Sequence, residues 1–85
     1  MYSKEAIQTF LKNQEQLFSE RVADDPEEAQ EFLEECMAVE LKNIKEVKKY
    51  LFEMGADVSG MSSKELEEQA EVFRLPDGGY LVVEG

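Results

Sequence analysis

Histidine and tryptophan are absent from this sequence, cysteine occurs once and proline twice. Without histidine the chain lacks the commonest general base and the commonest neutral metal ligand, so many hydrolytic and metal-dependent schemes lose their usual centre. The single cysteine, Cys36, excludes an internal disulfide and any multi-cysteine metal knot, and it fits a reducing, cytoplasmic setting. No apolar run approaches the ~18 residues of a membrane-spanning helix, and the N-terminus has neither the basic start nor the apolar core of a signal peptide. Positive charge is scarce. Nine Lys and Arg stand against twenty Asp and Glu, a formal net charge of -11 that repels nucleic-acid phosphates and anionic lipid but suits basic protein surfaces. Neither a glycine-rich phosphate loop nor the Asp-x-Asp-x-Asp-Gly pattern of a calcium loop is present, and no cofactor or metal is expected.

What the chain does have is pattern. Apolar residues make up 42% of its 85 positions and recur at helical and strand spacings, which is too ordered for an acidic disordered tail and implies one domain over residues 1–85. Ser3 can cap a first helix over 3–23, in which Ile7, Phe10, Leu11, Leu17, Phe18 and Val22 share a face. Asp25, Pro26 and Glu28 then supply a cap, a first-turn proline and a capping-box acid. From there Ala29, Phe32, Leu33, Cys36, Met37, Ile44, Val47, Leu51 and Met54 hold phase, which predicts one long helix over 26–54 closed by Gly55. Ser62 and Glu65 suggest a capping box for a short helix over 63–70, and Pro76-Asp77-Gly78-Gly79 between two β-prone runs predicts a β-hairpin over 72–83. The expected fold is α+β: an antiparallel helical hairpin with one long helix, a short third helix and a C-terminal β-hairpin.

Acids crowd the start of the long helix while Lys42, Lys45, Lys48 and Lys49 crowd its second half, a placement the helix dipole favours. The pairs Glu27-Glu28, Glu34-Glu35 and Glu67-Glu68 read as solvated faces. Gln14 and Glu40 break the apolar stripes of the two helices, and in an antiparallel hairpin they would meet as a structural hydrogen-bonded pair, with Cys36 as a small core residue. The competing reading is a buried carboxylic acid acting on a ligand or on the Cys36 thiol, but no second acid or base accompanies it.

Ser3-Lys4-Glu5-Ala6-Ile7, followed by Phe10-Leu11, resembles the start of nitrogen-fixation-type leader regions on precursors of ribosomally made, modified peptides. Those leaders are often acidic and helical and end in a double glycine. The resemblance implies a precursor-type substrate of a peptide-modifying enzyme, with residues 80–85 after Gly78-Gly79 as its core peptide.

The residues themselves point to a small acidic protein-interaction module rather than an enzyme, with no catalytic residue assigned. Its partner would be a protein or a second copy in a homodimer, with no direct nucleic acid or membrane contact. A lone hairpin is marginal in water, so docking is expected through its strands and the overhanging end of the long helix, at Leu41, Phe52, Val72, Arg74, Tyr80 and Val82. An inhibitor or antitoxin-like protein covering the basic surface of a nucleic-acid enzyme is the sharper alternative, carried by charge alone.

Overall fold

Apolar side chains alternate to both sides of Val72-Phe73-Arg74-Leu75 and of Tyr80-Leu81-Val82-Val83, so a hairpin built from them has two faces to cover and two edges to protect. The computed structural model, which describes residues 2–83, shows how the chain meets both needs. The fold is α+β. Helices α1 (Lys4–Asn13), α2 (Pro26–Glu35), α3 (Ile44–Glu53) and α4 (Ser63–Glu67) surround strands β1 (Val39–Leu41), β2 (Val72–Arg74) and β3 (Tyr80–Val82). The antiparallel sheet has the order β1-β3-β2, with Glu40 opposite Leu81 and Phe73 opposite Leu81 across the two ladders.

The pleat sends Phe73, Leu75, Leu81 and Val83 to one side, where they pack with Ala6, Phe10, Ala29 and Leu33 of α1 and α2. Phe10 is central to this layer, with ring centroids 5.7 Å from Phe32 and 5.6 Å from Phe73. Val72 and Val82 point to the other side and pack with Val47 of α3, flanked by Leu41, Ile44, Leu51 and Tyr80. The sheet therefore sits between two helical layers. Among the described residues no helix is long and apolar enough to cross a membrane.

Three expected elements change. The first helix stops at Asn13, not 23: a 3-10 turn over Gln14–Gln16 follows, and an irregular segment runs on to the Asp25 cap. The long helix over 26–54 is two helices with a strand between them. It breaks at Met37, whose left-handed φ of 57° places it where glycine usually ends a helix. Ala38 N–H donates to Leu33 O at 3.0 Å and Met37 N–H to Glu34 O at 3.2 Å, the paired bonds that close α2. Asn43 then starts α3, its side chain accepting from Glu46 N–H at 3.0 Å. The third helix ends at Glu67, short of 70, while its Ser62–Glu65 capping box forms as expected.

The hairpin forms between 72 and 83 with shorter strands than the sequence pattern suggests. Its loop is a three-residue connection in which Gly78 N–H donates to Leu75 O at 3.1 Å and Gly78, at φ 90°, takes the left-handed position that returns the chain.

Candidate interaction surface

Ten residues of α3 divide into two opposed faces. Ile44, Val47 and Leu51 lie against the sheet, while Lys45, Lys48, Lys49 and Phe52, spaced i, i+3, i+4 and i+7, form a stripe turned away from it. Phe52 is 65% exposed and Met54, just past the helix, is 52% exposed. The stripe borders a shallow groove of about 430 Å³, whose other wall comes from Val58 and Ser59. Val58 is itself buried, which anchors that wall, and Ser59 Oγ donates to Asp57 Oδ1 at 3.1 Å.

The lysines take on a new meaning once the long helix is broken. Lys42 precedes the Asn43 cap and Lys45 lies in the first turn of α3, where the helix dipole disfavours a cation. The last turn of α3 carries no basic residue, so the dipole does not account for this cluster.

Of the residues expected to dock, Phe52 alone is both apolar and broadly exposed. Val72 and Val82 are 2% and 1% exposed, built into the layer beneath α3, and Leu41 is half-buried beside them. Arg74 is exposed but its Nε lies 2.9 Å from Glu67 Oε2 on α4. Tyr80 is half-buried; burial and then the Glu67 carboxylate, which it also meets in a hydrogen bond, push its phenol up.

The expected Gln14–Glu40 pair does not form, because Glu40 is on β1 rather than on a helix facing Gln14. Its Oε1 accepts from Ser3 N–H at 2.8 Å, tying the strand to the cap of α1. Gln14 is fully buried and spends its amide on the segment that follows α1. Cys36 is half-buried, and burial followed by the Glu35 charge pushes its thiol up, which disfavours the reactive thiolate. No group of three metal-ligating side chains occurs among the described residues.

The sheet edges are short. Leu75 N–H donates to Gly79 O and Val83 N–H to Glu71 O, so alternation turns the backbone groups of Val72 and Arg74 outward. At Val72 the carbonyl already accepts from Gln16 Nε2 at 3.0 Å and the N–H donates to Gln69 O at 3.0 Å. On the opposite edge the Ala38 carbonyl accepts from Tyr2 Oη at 2.6 Å and Lys42 N–H donates to Glu46 Oε1 at 3.0 Å, leaving Glu40. Each edge thus offers a foreign strand one residue. Gly78 ends the hairpin loop and Gly79 closes it opposite Leu75, and Leu81, Val82 and Val83 beyond them are interior; positions 84 and 85 lie outside the described residues.

No family model, curated protein or solved structure matches this chain.

Proposed function

We propose that the protein is a non-catalytic protein-interaction module that docks its partner through the outward face of α3. Phe52 carries this reading. An aromatic ring 65% exposed at the C-terminal end of a helical face has no role in the two apolar layers, and buried aromatic anchors are the side chains that most often dominate interfaces. Docking through the hairpin is less well supported, because its apolar side chains fill the protein's own two layers and its outer edges are mostly occupied.

A photo-crosslinking amino acid placed at Phe52, and separately at Arg74 and Glu40, tests the reading in the cells that make the protein. The expected result is a discrete adduct from position 52. Adducts from 74 or 40 with none from 52 would return the docking surface to the sheet edges.

A further inference from the structure

We infer that the α3 groove receives an acidic segment of a partner protein carrying an apolar side chain, its carboxylates meeting Lys45, Lys48 and Lys49 while the apolar group lies on Phe52. This rests on the reading of α3 as the docking surface and names what docks there.

Charge placement carries the argument. The protein has nine cationic side chains in total, and three of them share this one stripe despite a net charge of -11. None of the three forms an ion pair or side-chain hydrogen bond among the described residues, as is true of the other lysines too; what sets these three apart is that they line one groove. Lys45 also opposes the dipole of its own helix, so local stability does not explain the cluster. A ligand that supplies carboxylates would. The groove, about 430 Å³ and walled by Val58, Ser59 and Phe52, has room for a few side chains and offers an apolar wall beside the cations.

Screening decides between a short acidic segment and a long polyanion. At physiological ionic strength charges are felt over about 8 Å, so a segment confined to the groove meets the three lysines that line it and, at the far wall, the Asp57 carboxylate that accepts from Ser59. A nucleic acid extends beyond that range onto the exposed carboxylates of the rest of the surface. A second copy could offer Glu34, Glu35 and the exposed Met37, but it brings eleven further net negative charges to the contact.

The test is selection of a displayed library of random nonapeptides on the full chain, with parallel selection on K45Q/K48Q/K49Q and on F52S. Wild type should enrich peptides with two or more Asp or Glu around an aromatic or aliphatic residue. Their affinity should fall roughly tenfold in the triple variant and again in moderate salt. Enrichment of neutral or basic peptides overturns the inference. So does equal displacement by a single-stranded oligonucleotide, which would make the face a phosphate site, or concentration-dependent self-association that the triple variant abolishes, which would make the occupant a second copy. Adducts at position 52 together with neutral selected peptides would leave the docking face standing and remove only its charge preference; absence of both would remove the two together.

Discussion

Gln14 and Ala23 exchange two hydrogen bonds: Gln14 Nε2 donates to the Ala23 carbonyl at 2.9 Å, and Gln14 Oε1 accepts from Ala23 N–H at 3.1 Å. The same amide donates to Leu11 O at 3.1 Å and accepts from Val22 N–H at 2.6 Å. Both donors and both acceptor positions are used, and one buried side chain stands in for the helix that would otherwise have continued to residue 23. Gln14→Leu keeps the volume and strands these backbone groups, so stability should fall by roughly 3 kcal/mol. The thermal midpoint should drop by more than about 10 °C. A shift under about 3 °C would mean that water replaces the amide.

Met37 offers the opposite sign. Its side chain is 76% exposed and its φ is 57°, so the residue accepts left-handed backbone without gaining a packing contact. Met37→Gly removes the steric cost at that angle and should stabilise by about 1 kcal/mol, read as a higher urea midpoint. A lower midpoint would show that the methionine contributes something beyond the turn.

These two positions also explain what could and could not be read from the sequence. The caps at Ser3, Asp25 and Ser62 and the Pro-Asp-Gly-Gly loop use residue types that the local geometry demands, so they were legible. The break in the long helix was not, because a methionine does what glycine does at Gly55, and the apolar phase runs unbroken through Cys36 and Met37. Asn43 followed by Glu46 was the missed signal, a second cap inside an apparently continuous helix. The site inherited that error. Phe52 was among the expected docking residues, but the lysines looked dipole-matched only while α3 was joined to α2.

Tyr2 predicts the alkaline limit of stability. Its Oη lies 2.9 Å from Leu33 O and 2.6 Å from Ala38 O, and burial, then the Glu34 charge, raises its ionisation above the ordinary value near 10. Folding therefore favours the neutral phenol. The stabilisation is complete below about pH 10 and is lost as pH rises through the folded value, and Tyr80 shifts in the same direction. Urea midpoints should fall on going from pH 9 to pH 11, and Tyr2→Phe should be less stable at pH 8 but show a shallower fall. Parallel curves for the two proteins would remove Tyr2 from this role.

Phe52→Ser should leave stability within about 0.5 kcal/mol of wild type, because the ring lies outside both apolar layers. A loss of 2 kcal/mol or more, on the order of a buried aromatic truncation, would make Phe52 a core residue and take away the anchor of the docking face.

β3 lies between β1 and β2, yet it follows both in the chain. The two earlier strands do not touch each other, so neither has a ladder partner until Tyr80–Val82 takes its place. Pairing β2 with β3 is a local closure between residues six to ten apart, whereas adding β1 joins residues about forty apart, a non-local closure of the kind that slows folding. Once formed, the two ladders share one fate: amide exchange along β1 and β2 should follow the opening of β3 rather than proceed strand by strand.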